Sequence, residues 1–265
     1  KRFGETRALT DCDFEACKGE VHAIVGENGS GKSTLAKIIS GVLVPDSGEC
    51  EVLGASIATP RQARARGVAT IFQEVLIADE ASVLDNLYVG SEGLVGTGKS
   101  RSRKLREAGE IMTRCVGDAV DLDARAGGLP LSVRQWIVIV RAILRSPDVL
   151  IFDESSAALD LEATQRLFAE ITRLRDAGKT ILLVTHRIAE LVSIADRATI
   201  LRDGKAVGVL QREEITEARL LEMMTQAGRT LSAAPTVRLR DNAENKPIIL
   251  ARDIRMSEAA APFHF

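Results

Sequence analysis

With 265 residues, 45% of them apolar and 27% charged, the chain suits one large domain or a domain with a subdomain. A net charge of −2 gives no basic footprint for nucleic acid, and 3% aromatics leave little to stack on single strands. The four cysteines, Cys12, Cys17, Cys50 and Cys115, make no C-x-x-C pair, so neither a zinc site nor a disulfide framework is suggested, and no apolar run reaches the roughly 18 residues of a membrane span.

In chain order, Asp13, Glu15 and Lys18 alternate with apolar residues, as in a half-exposed antiparallel strand, and Lys18-Gly19-Glu20 reads as a turn. Val21 to Val25 then reads as a buried strand. It enters Gly26-Glu27-Asn28-Gly29-Ser30-Gly31-Lys32-Ser33-Thr34, which fits G-x-x-x-x-G-K-[ST]. Leu35 to Ile39 reads as the helix that leaves it, with Gly41 as its C-cap. Glycines let such a loop turn its N–H groups into one cavity, and the helix N-terminus adds partial positive charge. In this loop Lys32 reaches the β- and γ-phosphates, the Ser33 hydroxyl ligates Mg²⁺, and Thr34 adds a hydrogen bond to a phosphate.

Val44 to Gly48 is a turn signal, and Glu49–Val52 and Val68–Phe72 read as strands with a short basic helix, Pro60 to Arg66, between them. Residues 82–145 change to helical periodicity and read as a helical insertion. Inside it, the basic run from Lys99 to Arg106 reads as a solvated face. Val149 to Asp153 is a second buried strand, ending in Asp153-Glu154. A carboxylate at a strand's C-terminal end lies where α/β sheets bind ligands, so Asp153 is expected to hold Mg²⁺ and Glu154 to orient or deprotonate the attacking water.

Gln73 directly follows a strand and suits a water or Mg²⁺ contact. His186, after the strand Ile181 to Val184, suits a γ-phosphate or water contact. Thr164 to Ala177 is an amphipathic helix, Ile188 to Ile194 is helical, Ala198–Leu201 and Ala206–Leu210 flank the turn at Asp203-Gly204, and Leu220 to Thr225 is a last helix. Strands alternating with helices indicate a mostly parallel α/β sheet. Residues 231–246 read as a polar linker, and Pro247 to Ala251 as a new strand.

These motifs, in this order, resemble the nucleotide-binding domain of ABC transporters, over residues 1 to about 225. Either nucleotide motif alone leaves kinases and GTPases open. The resemblance implies a P-loop NTPase with a RecA-like, mostly parallel sheet, an antiparallel β subdomain and an inserted helical subdomain near 82–145. It makes Gly26–Thr34 the Walker A loop, Gln73 the Q-loop glutamine, Val149–Glu154 the Walker B strand with Glu154 as catalytic glutamate, Ala158-Leu159-Asp160 the D-loop and His186 the switch histidine. Phe3 stands where the family stacks an aromatic on adenine. Leu131-Ser132-Val133-Arg134-Gln135 stands where a signature meets the partner domain's ATP, although Val133 and Arg134 replace two glycines, so the site it serves is expected to bind ATP and hydrolyse it poorly. The implied cofactors are ATP and Mg²⁺, with Ser33, Gln73 and Asp153 around the metal.

Finer segments, Asp85 to Gly90, Thr185-His186-Arg187 and Leu201 to Gly204 among them, resemble sugar-import ATPases of the ribose, xylose and galactose type, which carry two such domains in one chain. That resemblance implies an ATP hydrolase peripheral to the cytoplasmic face of the membrane. Its partners are a second nucleotide-binding domain, a membrane permease and, indirectly, an extracytoplasmic sugar-binding protein, with no nucleic acid. Residues 1–230 are then the first domain, and 247–265 the start of a second. A nucleic-acid or ribosome clamp and a regulatory ATP-binding half are the alternatives. The slightly negative charge speaks against the clamp, and the retained Glu154 and His186 against the regulatory half.

Overall fold

The computed structural model describes residues 8–90, 98–154, 159–185, 187–225 and 247–255. In chain order the elements are β1 (Cys12–Cys17), β2 (Val21–Val25), α1 (Lys32–Ile39), β3 (Ser47–Val52), β4 (Ala55–Ser56), α2 (Pro60–Ala65), β5 (Val68–Ile71), α3 (Val83–Tyr88), α4 (Arg101–Val116) and α5 (Leu131–Ile143). There follow β6 (Val149–Asp153), α6 (Leu161–Asp176), β7 (Thr180–Val184), α7 (Ile188–Ile194), β8 (Arg197–Arg202), β9 (Lys205–Gln211), α8 (Glu217–Thr225) and β10 (Pro247–Arg255).

The larger sheet runs in the order β5–β6–β7–β2–β8–β9, parallel except for the β8–β9 hairpin. Its central strands are apolar at nearly every position because both faces are covered. Val21, Ala23 and Val25 of β2, Leu150 and Phe152 of β6, and Ile181 and Leu183 of β7 pack with Leu84 and Leu87 of α3, Met112 of α4, Trp136 and Val140 of α5 and Leu167 of α6. The alternate residues Ile24, Val149, Ile151, Leu182 and Val184 face the other way, toward Leu35, Ile38 and Ile39 of α1 and the second sheet. That second sheet is antiparallel, in the order β1–β10–β3–β4. The fold is thus the expected P-loop α/β architecture with an antiparallel sheet on one side and a helical insertion.

The helical insertion consists of α3, α4 and α5. The basic run predicted as a solvated face is the first part of α4. It buries Ala108, Met112 and Cys115 further along and turns its cations to solvent, where Lys99 pairs with Glu107 and Arg101 with Asp123. Glu170 of α6, 4% exposed at its side chain, accepts from both Arg114 of α4 and Arg173, tying the insertion to the sheet's flanking helix. Burial of Glu170 raises its pKa, but the two guanidinium hydrogen bonds outweigh it and hold the group below the usual range. The expected strand at Pro247 to Ala251 forms and extends to Arg255. It lies in the sheet of the first domain, between β1 and β3. Cys12, Cys17, Cys50 and Cys115 are all free thiols.

Candidate functional site

The site forms at the C-terminal edge of the parallel strands. β2 delivers the loop 26–31, and α1 begins at Lys32. Gly31 is the N-cap residue, at φ 102, a conformation that an L side chain rarely adopts; a Cβ there would also collide with the Ala8 carbonyl oxygen and with Leu9. The loop's Ser30 is 5% exposed, and its Oγ is buried with no hydrogen-bond partner. An unpaired buried hydroxyl at a helix N-terminus suits an anionic ligand that supplies the missing bond. Lys32, 4% exposed, donates from Nζ to the carbonyl oxygens of Gly26 (2.9 Å) and Glu27 (2.8 Å). Burial lowers its pKa, while the nearby charges of Glu154 and Asp153 pull the other way. Glu27, Asn28 and Gly29 form the exposed outer turn of the loop, and Thr34 is half-buried in the first turn of α1.

β6 brings Asp153 to the same place, because it runs parallel to β7, and β7 to β2. Ser33 Oγ donates to Asp153 Oδ1 at 2.9 Å. Burial pushes the Asp153 carboxyl above the usual carboxylate range, against the Ser33 hydrogen bond, and the adjacent Glu154 charge adds to the rise. Glu154 itself sits at φ 51, the left-handed region where non-glycine residues are uncommon, with its N–H on the Val184 carbonyl (2.9 Å). A residue held in that conformation costs energy that the surrounding structure must offset, and such residues cluster at functional sites. Gln73 is exposed two residues beyond β5, whose Ile71 pairs with Phe152, so it stands at the same sheet edge as Asp153 and Glu154.

Among the described residues no group of three or more His, Cys, Asp or Glu is placed to hold a metal. One hydroxyl and one carboxylate are nonetheless what Mg²⁺ takes from a protein when phosphates and waters complete its octahedron, so the residues fit that ion.

Ser132 to Gln135 lie apart from this cluster, on the first turns of α5. Ser132, Val133 and Arg134 are partly exposed and Gln135 is buried, 1% exposed, with its Nε2 unpaired. Among the described residues they make no hydrogen bond to the phosphate loop. Arg134 Nη2 instead meets Asp79 Oδ1 at 2.9 Å, and the Asp79 carbonyl accepts from the Gly127 N–H (3.0 Å). Sequence reasoning missed that pair, since nothing in the run 74–80 marks Asp79 from its acidic neighbours. It also missed His22, fully buried in β2 between Glu20 (2.8 Å) and Thr199 (2.7 Å). Phe3, Ala158 and His186 lie outside the described residues. Asp160, the last residue of the expected D-loop, N-caps α6 by accepting from the Ala163 N–H (2.8 Å).

The sequence matches the ABC transporter family over residues 9–157, more than half of the chain. It is similar to a ribose import ATP-binding protein, RbsA 2, of Escherichia coli O157:H7, 38% identical over 88% of this chain and 46% of that protein. A protein of the same name from Rubrobacter xylanophilus is 41% identical over 88% of this chain and 45% of its own length. The chain thus spans about half the length of these curated relatives. Among solved structures it resembles a nucleotide-free ATP-binding cassette from an ABC transporter (TM-score 0.70, 25% identity, 86% of this chain and 96% of that one). It also resembles the ADP conformation of another ABC transporter cassette (TM-score 0.66, 26% identity, 84% and 94%).

Proposed function

Because the chain belongs to the ABC transporter family, we propose that it is the ATP-binding and ATP-hydrolysing part of a carbohydrate importer. The observation that carries the reading is the Ser33–Asp153 hydrogen bond, which sets a hydroxyl and a carboxylate together beside the phosphate loop. Residues 26–34 grip the phosphates, with Lys32 as a point charge and the N–H groups at the start of α1 as donors. Ser33, Asp153 and Gln73 hold Mg²⁺, which when bound neutralises charge between the phosphates. Glu154, next to Asp153, accepts a proton from the attacking water or orients it; Gln73 and His186 complete the water and γ-phosphate contacts, and Phe3 takes the adenine face.

The partner domain supplies a signature in trans to this site. Ser132, Val133 and Arg134 meet the partner's ATP in return, with Gln135 buried behind them, and the bulk of Arg134 makes turnover poor. Residues 1–230 are the nucleotide-binding domain, 231–246 a linker and 247–265 the start of a second domain, whose opening strand, β10, pairs in this structure with β1 and β3 of the first. The names of the relatives, ribose import ATP-binding proteins, support a sugar as the cargo class; a membrane permease as partner and a position peripheral to the cytoplasmic face belong to the same proposal. Among the described residues no helix is long and apolar enough to cross a membrane.

The test is sugar uptake into membrane vesicles that hold the full-length protein and its permease. Uptake is expected to require ATP and to be lost with Lys32→Ala. Uptake that survives Lys32→Ala, or that never depends on ATP, would overturn the reading.

A further inference from the structure

The short basic helix α2 takes no part in the nucleotide site. It leads into β5, as the turn after α5 leads into β6, and Val68 pairs with Val149 at the start of these two strands. Arg64 of α2 and Arg145 after α5 therefore meet at the N-terminal edge of the parallel sheet, the edge opposite the phosphate loop. Gly90, just past α3 and at φ 69, marks the place: a Cβ there would stand 3.5 Å from Arg145 Nη2 and 3.8 Å from Arg64 Nη1. Arg141, one turn earlier on α5, is close enough for its charge to act on the Arg145 guanidinium.

These three cations lack a counter-charge. Among the described residues none of them meets a carboxylate. Arg145 Nη2 donates to the Val89 carbonyl (2.9 Å), while its Nε is buried with no hydrogen-bond partner. Burial, then the charges of Arg64 and Arg141, pull the Arg145 guanidinium below the usual arginine range, and burial does the same to Arg141. An arginine stays charged at neutral pH even so. The C-terminal end of α5 and the Val89 carbonyl favour one cation here, but they give no reason for three. A buried donor left unpaired costs free energy, and so do like charges gathered together. One oxyanion among the three would relieve both.

We propose that Arg64, Arg141 and Arg145 form a binding site for a phosphoryl group, carried by a free phosphorylated small molecule or by a phospholipid headgroup. Guanidinium groups match phosphate oxygens with their planar forks, and the bare Cα of Gly90 leaves room between two of them. Since α3 and α5 belong to the helical insertion and α2 leads into the parallel sheet, the bound anion ties the insertion to the sheet. The site shares no residue with Gly26–Thr34, so the inference stands apart from the proposed function.

The test titrates inorganic phosphate into the whole chain carrying Lys32→Ala, which takes the cation of the phosphate loop out of the measurement. The arginine Nε–H signals are followed by NMR at constant ionic strength, with chloride as the control anion. The Arg145 signal is expected to shift saturably with phosphate and not with chloride. Arg64→Ser removes only an exposed side chain, so the fold is kept, and it is expected to raise the phosphate concentration for half-saturation about tenfold. A second arm measures sedimentation with vesicles of phosphatidic acid in phosphatidylcholine, against phosphatidylcholine alone. Binding in either arm that Arg64→Ser weakens supports the proposal, and the arm in which it occurs identifies the source of the phosphoryl group. Binding in neither arm, an equal shift with chloride, or binding that Arg64→Ser leaves unchanged overturns the proposal.

Discussion

Ser33 Oγ and Asp153 Oδ1 lie 2.9 Å apart although 120 positions separate them in sequence. The contact joins the first turn of α1 to the end of β6, and on the proposed function it marks where Mg²⁺ would meet the phosphates. Asp153→Asn keeps an oxygen acceptor for Ser33 and removes the negative charge. Hydrolysis of MgATP is expected to fall about 100-fold, and the Mg²⁺ concentration for half-maximal activity to rise. A Mg²⁺ titration of phosphate release, wild type against variant, checks both.

Glu20 supports the base of β2, the strand that enters the phosphate loop. Its Oε1 accepts from the Cys17 N–H and contacts the buried His22 ring, each at 2.8 Å. Burial pushes the carboxyl up, but the His22 hydrogen bond and charge, then Arg197, outweigh burial and hold it below the usual range. A lowered folded pKa stabilises the native state above the unfolded value, and that stability is lost as pH falls through the folded one. Thermal unfolding is therefore expected to show wild type above Glu20→Gln by about 1–3 kcal/mol at pH 7. The gap should close on the acid side of the usual glutamate range.

Arg134, on the first turns of α5, is held by Asp79, and the pair is partly exposed, 27% and 58% at the side chains. A pair of that kind contributes about 1 kcal/mol or less. Arg134→Gly is expected to change stability little beyond the cost of a glycine in a helix. In the full-length protein it is expected to raise ATP turnover a few-fold by letting the backbone approach the partner's nucleotide. Phosphate release by the two-domain protein measures it; unchanged or lower turnover would contradict the degenerate-signature reading.

Glu170 receives Arg114 from the helical insertion and Arg173 from its own helix. Glu170→Ala leaves two half-exposed guanidinium groups that water can reach, so the cost is expected to be about 1–3 kcal/mol. Loosening of α4 should appear as faster hydrogen exchange there, with the parallel strands protected as before.

The parallel sheet and the nucleotide loop were legible because each is set by local demands. Val149–Phe152 and Ile181–Val184 are apolar throughout, and Val21–Val25 at every position but His22, since both their faces are covered. The curl at Gly31 requires a residue that tolerates φ 102 and a neighbour against its Cα. The helix of residues 101–116 was legible as part of a helical insertion but not in its bounds, because only three of its positions, Ala108, Met112 and Cys115, are buried. The place of 247–255 could not be read either. Strand pairing is non-local, and a run such as Pro-Ile-Ile-Leu-Ala specifies a strand but not its neighbours. The same holds for Arg134 with Asp79 and for the left-handed backbone of Glu154, which depend on what the fold brings alongside.

The most direct measurement is phosphate release from MgATP by the full-length protein, wild type against Glu154→Gln, with nucleotide affinity measured in parallel. Glu154→Gln is expected to reduce turnover about 1,000-fold while MgATP still binds within a few-fold of wild type. Turnover that persists in Glu154→Gln, or a wild-type protein that binds MgATP and never releases phosphate, would contradict the assignment of Glu154 as the residue that activates water at this site.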